Sequence, residues 1–505
     1  MTELRRFEPN TKTLGEIAAF LGADVKDVFE SVEISGICSN SENVEVGDLF
    51  LALPGAKTHG GVFLPSAVER GARAVLIDIA GSELSSVRDS AIPVLVVPNP
   101  RSQSGYLADW FHGSPSQNMY VAGITGTNGK TTTTYLVNQI WQQADFESGL
   151  MGTIGISIGD ESFPATHTTP EADIVHTVLS VMHERHVRAA AMEVSSHAIV
   201  QHRIDGVHFA AAGFTNLSQD HLDFHGTMEK YYQAKRAFFE AHLAERAFIN
   251  IDNDYGVRLA KEVSIPVSTY SLSQKKATWH FDSKTQTDRG WDLMIRGEGG
   301  ILIEGHFNLQ GEHNLENLLL AVAIAFDSGV DPIVIGNSLT KLKGAPGRLE
   351  SIERGQKFTV LVDYAHTPDA VERVLNSLKR DAADSRSSRI IGVLGCGGNR
   401  DAAKRPLMGK ALKSACDISI FTSDNPRDED PIEILASMTK GIQLDDSAMI
   451  IVDRREAIAT AIATANEGDI VIVLGKGHES GQEIKGVKVP FDDREELASA
   501  IEALT

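Results

Sequence analysis

The stretch that decides the fold is Tyr120-Val-Ala-Gly-Ile-Thr-Gly-Thr-Asn-Gly-Lys-Thr-Thr-Thr-Thr134. Its apolar run predicts a buried strand, its glycines predict a turn, and its threonines predict the start of a helix that continues through Leu136 and Ile140. The common GxxxxGK[ST] pattern requires glycine where this chain has Ile124. The sequence therefore predicts a shorter phosphate-binding loop, G-x-x-G-K-T-T, between a strand and a helix.

The residue types in this loop suit a nucleotide. Gly126 and Gly129 let backbone amides approach phosphate oxygens. Lys130 supplies a positive charge to the terminal phosphates, and Thr131 offers a hydroxyl to Mg²⁺ at the start of a helix. A Gly-Lys-Thr sequence without this setting more often marks an ordinary helix start, but the strand before it and the helix after it favour a nucleotide site.

Length and composition restrict the class of protein. A chain of 505 residues predicts about three domains, and 42% hydrophobic with 23% charged residues is typical of a soluble globular protein. The net charge of −21 disfavours nucleic acid and anionic membranes as partners. No apolar run reaches the roughly 18 residues of a membrane span, and the charged N-terminus lacks the apolar core of a signal peptide. We therefore expect a cytoplasmic protein without membrane insertion.

The three cysteines, Cys38, Cys396 and Cys416, are scattered along the chain. Their number and spacing fit neither a disulfide framework nor a zinc site. We expect them to be reduced packing residues.

Strands and helices alternate along the chain, which predicts an α/β fold. Prolines near residue 100 and the turn-rich stretch Lys343-Gly-Ala-Pro-Gly-Arg-Leu-Glu350 indicate two boundaries. The resulting domains are 1–100, 101–346 and 347–505. Residues 275–311 predict a β-meander insert in the central domain. The apolar runs of the third domain predict a second open, mostly parallel sheet; they are 358–363, 390–394, 418–421 and 470–474.

Polar clusters follow many of these strands directly. Because ligands of open α/β sheets lie beyond the carboxyl ends of the strands, these clusters mark the predicted site. The clusters are Gly126–Thr132, Glu193–His197, Thr215–His221, Asp363–His366, Gly395–Arg400, Asp424–Arg427 and Gly475–Glu479.

Three places in the central domain invite a chemical interpretation. Glu193 ends a strand beside the phosphate loop, where a carboxylate suits Mg²⁺. His221, Asp223 and His225 form a His-x-Asp-x-His sequence, which fits a zinc site or a general base, and equally a loop whose histidines only form hydrogen bonds. Lys235 lies on an amphipathic helix, and this pattern predicts a lysine whose ammonium reaches solvent beside aromatic rings.

Arg427 is the most conspicuous residue of the third domain. The Asn425-Pro426 pair fixes a turn directly after a strand, which predicts that the guanidinium points outward. A planar guanidinium suits bidentate binding of a carboxylate. An isolated arginine of this kind, Arg400 included, is more often an ordinary surface residue.

Taken in order along the chain, these motifs resemble those of the Mur ligase family. The resemblance covers essentially the whole chain, and several matches in the right order are more specific than any one alone. The matching segments are Gly126–Thr132, Glu193–His197 with Gln201–Arg203, Thr215–Asp223, His313–Asn317, Ala345–Glu350, Val362–Pro368, Lys404–Gly409, Asp424–Arg427 and Gly475–Glu479.

The resemblance implies a three-domain architecture with a central phosphate-loop ATPase domain and a C-terminal Rossmann-like domain. It also implies ATP-dependent amide formation in peptidoglycan precursor synthesis, in which a carboxylate takes the γ-phosphoryl of ATP and an amino group then displaces phosphate. The implied substrates are ATP, UDP-N-acetylmuramoyl-L-alanyl-D-glutamate and meso-diaminopimelate. The main tasks of the protein in such chemistry are charge neutralisation and in-line positioning.

The same resemblance implies roles for individual residues. The implied catalytic residues are Lys130, Glu193, His221 and Lys235. Of two Mg²⁺ ions, one is implied to bind Thr131 and Glu193, and the other His221 and Lys235 carbamylated by CO₂. The implied ATP contacts are Gly126, Thr127, Asn128, Gly129, Lys130, Thr131, Thr132, Asn314, Asn317, Arg348 and Asp363.

Two further groups of contacts follow from the resemblance. The implied contacts to the UDP-sugar and dipeptide are Ser39, Ser41, Thr168, Thr169, Ser195, Gln201 and Arg203. The implied contacts to the amino acid are Arg400, Asp424, Asn425, Pro426, Arg427, Gly475 and Glu479. Around Ser41 the chain reads Asn-Ser-Glu where the family often has Asp-Ser-Arg.

Arg427 decides which amino acid the resemblance implies. Members of the family that use meso-diaminopimelate carry Asp-Asn-Pro-Arg, whereas lysine-adding relatives usually lack the arginine. Arg427 would pair the second carboxylate, and a site built for such a polar partner can discriminate by about 10⁴ or more against an analogue that lacks it. The sequence therefore favours meso-diaminopimelate.

Several alternatives stay open. The nearest is a ligase of the same family that adds lysine or another diamino acid. A phosphate-loop kinase or GTPase and a nucleotide-gated binding protein come from other classes. We also expect a monomer whose third domain closes over ATP, because the implied ATP contacts come from two domains.

Overall fold

Three α/β units follow one another along the chain in the computed structural model, which describes residues 10–55, 57–165, 167–287, 290–384 and 389–504. Each unit has its own principal sheet, and the strands of these sheets are mostly parallel. The predicted α/β class, with an open parallel sheet in the C-terminal part, is confirmed. Within the described ranges, no helix combines the length and the apolar character needed to cross a bilayer.

The first unit has a parallel sheet of four strands in the order β3-β4-β5-β6. Leu107 and Phe111 of its last helix pack in the same core as Leu14 and Leu49, so this core extends to residue 111. Its elements are β1 Lys12–Thr13, α1 Leu14–Leu21, β2 Glu33–Ile34, β3 Gly36–Cys38, β4 Asp48–Leu51, α2 Leu64–Arg70, β5 Ala74–Ile77, α3 Ile79–Ser82, α4 Ser85–Arg88, β6 Val94–Val96 and α5 Pro100–Phe111.

The elements of the central unit form an eight-stranded sheet and a small insert. They are β7 Tyr120–Thr125, α6 Lys130–Gln143, β8 Ser148–Gly152, β9 Gly155–Ile158, β10 Glu161–Phe163, α7 Ala172–Glu184, β11 Ala189–Glu193, α8 Ser196–Val200, β12 Phe209–Phe214, α9 Leu222–His225, α10 Met228–Arg236, β13 Ala244–Asn250, α11 Asp254–Glu262, β14 Val267–Tyr270, β15 His280–Thr287, β16 Gly290–Arg296, β17 Leu302–Phe307, α12 Glu312–Asp327 and α13 Pro332–Ser338.

The large sheet has the order β10-β9-β8-β11-β7-β12-β13-β14. Neighbouring strands from β8 to β14 in this order pair in parallel, whereas the pairings β8–β9 and β9–β10 are antiparallel. The register places Glu193 opposite Ile124 and Phe214 opposite Thr125. The loops that follow β7, β11 and β12 therefore meet at one edge of the sheet.

The insert formed by β15, β16 and β17 is a three-stranded antiparallel sheet. This confirms the predicted β-meander. Trp279 and Trp291 are buried in the core that also contains α6 and α12, so the insert anchors to the helices rather than projecting into solvent.

The C-terminal unit has a six-stranded sheet in the order β18-β19-β23-β20-β21-β22, in which only β18 is antiparallel. A hairpin, β24 with β25, lies outside this sheet. The elements are β18 Glu350–Ser351, β19 Thr359–Asp363, α14 Pro368–Asp384, β20 Ile390–Cys396, α15 Lys404–Ala415, β21 Ile418–Ser423, α16 Pro431–Met438, β22 Ala448–Ile450, α17 Arg454–Thr464, β23 Ile470–Leu474, β24 Gly481–Ile484, β25 Val487–Pro490 and α18 Asp493–Glu502.

A fully buried ion pair fixes the ends of two strands in this unit. Arg454 Nη2 lies 2.6 Å from Asp493 Oδ2, and both side chains have no exposed surface. The same guanidinium donates to the carbonyl oxygens of Ser423 and Leu474, the last residues of β21 and β23. The loops after these strands therefore start from a fixed position.

Candidate active site

The phosphate loop joins β7 to α6 with two glycines in conformations that other residues rarely adopt. Gly126 has φ 148° and Gly129 has φ 89°. A Cβ on Gly129 would lie 2.4 Å from Asn317 Oδ1, so this glycine also lets α12 approach the loop. The predicted strand, turn and helix are therefore present, and Asn317, one of the predicted ATP contacts, lies against them.

Lys130 lies in the first turn of α6 and folds back over the loop. Its Nζ donates to the carbonyl oxygens of Gly126 and Thr127 at 2.9 and 2.8 Å. Burial lowers the pKa of Lys130; the charge of Arg348 lowers it further, while Glu193 opposes the shift. The ammonium is poorly solvated and bound to neutral oxygens, a state that favours an incoming anion.

Glu193 ends β11 as a buried carboxylate. It accepts hydrogen bonds from Thr131 Oγ1 at 2.9 Å and from the amide of Thr153 at 2.7 Å. Thr153 Oγ1 also lies 3.2 Å from Glu193 Oε2 and 3.0 Å from Thr168 Oγ1. A threonine hydroxyl beside a buried carboxylate is an oxygen donor set that Mg²⁺ accepts. Thr153 was not singled out from the sequence, since no motif marks the turn that follows β8.

The position of the Lys235 side chain differs from the prediction, which placed its ammonium in solvent. Its side chain does not reach solvent, because only 1% of the residue is exposed and Nζ donates to the carbonyl oxygen of Gly126 at 2.8 Å. The ammonium also lies 4.7 Å from the Tyr231 ring centre. Burial lowers the pKa of Lys235 well below its usual value, and the charge of Lys130 adds to the effect.

The His-x-Asp-x-His sequence does not converge on one point. His221 Nε2 lies 3.3 Å from Asp220 Oδ2, whereas His225 Nε2 lies 2.9 Å from Ser196 Oγ. Across the part of the chain that the structure describes, no three His, Cys, Asp or Glu side chains gather in a way that could hold a metal. The zinc interpretation therefore gains no support. Burial lowers the pKa of His221 to about 3, which keeps its imidazole neutral.

The central-domain residues predicted to contact the sugar and dipeptide lie together. Arg203 donates to the carbonyl oxygen of Thr169 at 3.0 Å and to Gln201 Oε1 at 2.7 Å, and it pairs with Glu171 at 2.8 Å. Thr169 Oγ1 donates to the carbonyl oxygen of Glu193 and lies 3.3 Å from Ser195 Oγ. The tertiary fold thus brings four residues together at the carboxyl-terminal end of β11, namely Thr169, Ser195, Gln201 and Arg203.

Ser39 connects the first unit to this region. Its amide and hydroxyl donate to the two carboxylate oxygens of Asp173, in the first turn of α7, at 2.7 and 2.9 Å. Ser41 lies two residues further along the same turn and is half-buried. Asp173 was missed in the sequence because it follows Glu171 at an ordinary helix start.

The third unit reaches the phosphate loop through Arg348. Its Nη2 lies 3.3 Å from Thr131 Oγ1, and its guanidinium lies 4.5 Å above the ring centre of Tyr364. Asp363, at the end of β19, accepts hydrogen bonds from the amides of Leu349 and Ala365. The two predicted contacts from the third domain therefore lie at the junction, with Arg348 in contact with the loop.

A second contact crosses the same junction. Asp369, in the first turn of α14, accepts hydrogen bonds from Asn128 Nδ2 at 3.0 Å and Ser218 Oγ at 3.1 Å. Asn314, another predicted ATP contact, donates to the carbonyl oxygen of Gln310 at the start of α12. Asp369 was not singled out from the sequence, because an acidic residue in the first turn of a helix is common.

The predicted amino-acid contacts follow β21 and β23. Asn425 Nδ2 donates to Glu479 Oε2 at 2.9 Å. Lys476, which the sequence analysis did not select, lies beneath them with no exposed surface and contacts Asp424, Asn425 and Glu479. Gly475, with φ 112°, allows the chain to turn from β23 into this cluster.

Arg427 is held more firmly than the sequence predicts. Its Nε donates to Glu483 Oε2 at 3.0 Å and its Nη1 donates to the carbonyl oxygen of Gly398 at 2.8 Å. The side chain is half-buried rather than directed freely outward, because its backbone pairs with Ile484 of β24. Arg400 is exposed.

The predicted amino-acid pocket and the phosphate loop are connected by contacts. A Cβ on Gly347 would lie 2.1 Å from the amide nitrogen of His478. The loop after β23 therefore packs directly on the turn-rich stretch 343–350, which contains Arg348. The ring of Tyr364 lies 5.4 Å from that of His478. A series of contacts therefore connects the loop that contains Glu479, through the stretch 343–350, to the phosphate loop.

Comparisons with known families cover most of the chain. The model described as "Mur ligase family, catalytic domain" matches residues 33–101, "Mur ligase middle domain" matches 124–325, and "Mur ligase, glutamate ligase domain" matches 347–477. These matches run in the same order as the three units of the fold.

Individual relatives are similar over nearly their full length. A protein of Streptomyces coelicolor named UDP-N-acetylmuramoyl-L-alanyl-D-glutamate--2,6-diaminopimelate ligase is 43% identical over 494 residues, covering 97% of this chain and 96% of its own. One of the same name from Aquifex aeolicus is 43% identical over 477 residues, covering 94% and 95%. A solved structure of a ligase of that name has a TM-score of 0.66 at 34% identity and covers 98% of this chain and 99% of its own. The chain therefore belongs to the Mur ligase family.

Proposed function

We propose that this chain joins meso-diaminopimelate to UDP-N-acetylmuramoyl-L-alanyl-D-glutamate at the expense of ATP, in the synthesis of peptidoglycan precursors. The main support for the proposal is that the sheet of the central unit and the sheet of the C-terminal unit meet at the ends of their strands. Arg348 belongs to the C-terminal unit, which also contains Arg427, and its Nη2 lies 3.3 Å from Thr131 Oγ1 of the phosphate loop. The names of relatives at 43% identity support the same reaction.

The reaction has two steps. The γ-carboxylate of D-glutamate attacks the γ-phosphorus of ATP, which gives an acyl phosphate and ADP. An amino group of meso-diaminopimelate then attacks the acyl carbon, phosphate leaves, and the amide nitrogen loses its proton. The first step brings two anions together and the second needs an amine aligned with the acyl carbon, so the protein's task is to supply positive charge and alignment. Lys130 and Arg348 supply the positive charge at the phosphates.

The residues beside Lys130 suit Mg²⁺. Thr131 and Glu193 offer a hydroxyl and a buried carboxylate in contact at 2.9 Å, and we assign them to one ion. We assign the neutral imidazole of His221 to a second ion, together with a carbamate on Lys235. When bound, Mg²⁺ neutralises the charge on the phosphates and the carboxylate.

The environment of Lys235 supports carbamylation. An amine attacks CO₂ only when it is unprotonated, and burial together with Lys130 lowers the pKa of Lys235 well below its usual value. The ammonium first loses one proton, and a second proton leaves the nitrogen when the N–C bond to CO₂ forms, so carbamylation replaces a buried cation by an anion beside Lys130. This exchange removes the repulsion between two adjacent ammonium groups.

The remaining site residues fall into three groups. We assign Asn314 and Asn317 to adenine, with Asp363 at the ribose. We assign Thr168, Thr169, Ser195, Gln201 and Arg203 to the sugar and dipeptide, with Ser39 and Ser41 at the uridine diphosphate. In the third unit, Arg427 pairs with the distal carboxylate of meso-diaminopimelate and Glu479 with an ammonium, and Arg400, Asp424, Asn425, Pro426 and Gly475 complete the pocket.

We further propose that the domains are 1–100, 101–346 and 347–505, with the helix Pro100–Phe111 packed on the core of the first domain. We also propose that the protein acts as a cytoplasmic monomer and that the third domain closes over ATP. The hydrogen bonds from Asn128 and Ser218 to Asp369 support a role for α14 in closure. Small-angle scattering with and without an ATP analogue and the UDP substrate should give a smaller radius of gyration for the bound protein. Asp369→Ala should reduce the difference. Identical curves for wild type would contradict closure.

One assay tests the function. Phosphate release is measured with ATP, UDP-N-acetylmuramoyl-L-alanyl-D-glutamate and, in turn, meso-diaminopimelate, L-lysine and other diamino acids. We expect turnover only when all three substrates are present, and fastest with meso-diaminopimelate. Faster turnover with lysine would overturn the substrate assignment, and ATP hydrolysis independent of both other substrates would favour a kinase or GTPase.

A further inference from the structure

Lys476 is an ammonium buried beneath the amino-acid pocket. None of its side chain is exposed. Its Nζ lies 3.1 Å from Asn425 Oδ1, 3.1 Å from Glu479 Oε2 and 3.5 Å from Asp424 Oδ1. Three acceptors match the three donors of an ammonium. Because a buried cation is costly unless it is fully paired, this arrangement is specific to a charged lysine.

Lys476 also fixes the orientation of Asn425. The amide oxygen of Asn425 accepts from Lys476 and from the amide of Glu483, so its nitrogen donates to Glu479 Oε2. Both side-chain hydrogen bonds that the described residues make to Glu479 fall on Oε2. The other carboxylate oxygen, Oε1, is then available to a substrate ammonium.

Two candidate substrates differ in the charge they bring to this pocket. The distal end of meso-diaminopimelate carries an ammonium and a carboxylate and is neutral overall. The distal end of lysine carries an ammonium alone. A pocket with one more negative charge attracts lysine more strongly while gaining nothing for a zwitterion.

We propose that Lys476 is a specificity-determining residue of the amino-acid pocket. It offsets the charges of Asp424 and Glu479, and thereby prevents the pocket from accepting a diamino acid that lacks a second carboxylate. Lys476 acts through Glu479 and Asn425 rather than by touching the substrate. The inference rests on the proposed function, since it concerns the choice of amino acid in that reaction.

The test compares two variants with a matched control. Lys476→Met removes charge and donors, and Lys476→Gln removes the charge but keeps a donor. Arg389→Met serves as the control, because Arg389 also pairs with a buried carboxylate, Asp469, at the opposite end of the same sheet. For each protein, kcat and KM are measured with meso-diaminopimelate and with L-lysine, and folding is checked by thermal unfolding.

We expect both Lys476 variants to raise the ratio of kcat/KM for lysine to that for meso-diaminopimelate by roughly tenfold or more, mainly through KM. Arg389→Met should lower stability and leave the ratio unchanged. A ratio that stays at the wild-type value in the Lys476 variants would overturn the inference, and so would failure of both variants to fold, since Lys476 would then be structural. If wild type itself prefers lysine, the proposed function fails instead.

Discussion

The two sheet edges that meet at the domain junction hold their charges in different ways. At the nucleotide edge, Lys130 and Lys235 donate to backbone carbonyl oxygens, and both share that of Gly126. At the amino-acid edge, Lys476 contacts two carboxylates and Arg427 pairs with Glu483. The first edge keeps desolvated cations bound to neutral oxygens, whereas the second edge pairs its cations with acids.

This difference matches the ligands we propose. Cations held away from water and bound to neutral oxygens gain the most when a polyanion arrives, so the nucleotide edge is prepared for phosphates. Charges that are already paired gain little from a simple ion, and they favour a ligand that presents both signs in the right places.

The largest effect is expected at the nucleotide edge. Lys130→Met removes the positive charge at the terminal phosphates and should lower kcat by about 10⁴-fold, measured as phosphate release. Because burial lowers the pKa of Lys130, the folded state disfavours this charge, and the melting temperature should not fall. Lys357→Met, at an exposed lysine, is the control. Activity within a few-fold of wild type would refute the role of Lys130.

Lys235 tests whether the second buried cation is replaced by a carbamate. Lys235→Ala should lower kcat by about 10³-fold, and acetate should restore part of it. Wild type depleted of CO₂ should lose activity and recover with bicarbonate. Lys230→Ala, on the exposed side of the same helix, should behave as wild type. Full activity of Lys235→Ala would contradict both the metal role and the carbamate.

The amino-acid edge is tested through Arg427. Arg427→Lys keeps the charge but loses the planar fork, and kcat/KM with meso-diaminopimelate should fall by about 10²-fold. The rate with L-lysine should change little, because lysine has no second carboxylate. Arg455→Lys, at an exposed arginine of the same domain, provides the comparison. An equal loss with both amino acids would mean that Arg427 only supports the fold.

The smallest effect concerns Glu316, which lies in α12 at the nucleotide side, 3.5 Å from Arg373. Burial raises the pKa of Glu316 to about 7, with Asp252 and Asp369 adding to the shift and Arg373 opposing it. The folded state thus holds a proton that the unfolded state releases near pH 4.5. Stability from this group is present below pH 4.5 and is lost as the pH rises through 7.

Glu316→Gln removes this penalty. It should raise the free energy of unfolding by up to about 3 kcal/mol at pH 8 and by nothing at pH 4, measured by denaturant unfolding at both values. Equal effects at both pH values would show that Glu316 pairs fully with Arg373. In that case the nucleotide side would resemble the amino-acid side more than we infer.

Part of the site could be predicted from sequence because its chemistry is local. Gly126 to Thr132 must form a loop between an apolar strand and a helix, and the structure has that loop. The β-meander at 275–311 was predicted because alternating apolar residues impose a period of two. Arg427 was found because Asn-Pro after a strand fixes a turn, although its pairing with Glu483 was not foreseen.

The sequence by itself determined the class of fold, the order of its elements and the loop that suits phosphate, because periodicity and turn residues act within a few positions of the chain. Only the tertiary structure decided that Lys235 is buried, that His221 and His225 contact different partners, and that Lys476 and Asp369 contact predicted site residues. These properties depend on which distant segments exclude water and supply partners. A residue's neighbours in the sequence do not specify its solvation, and solvation sets the charge on which this chemistry depends.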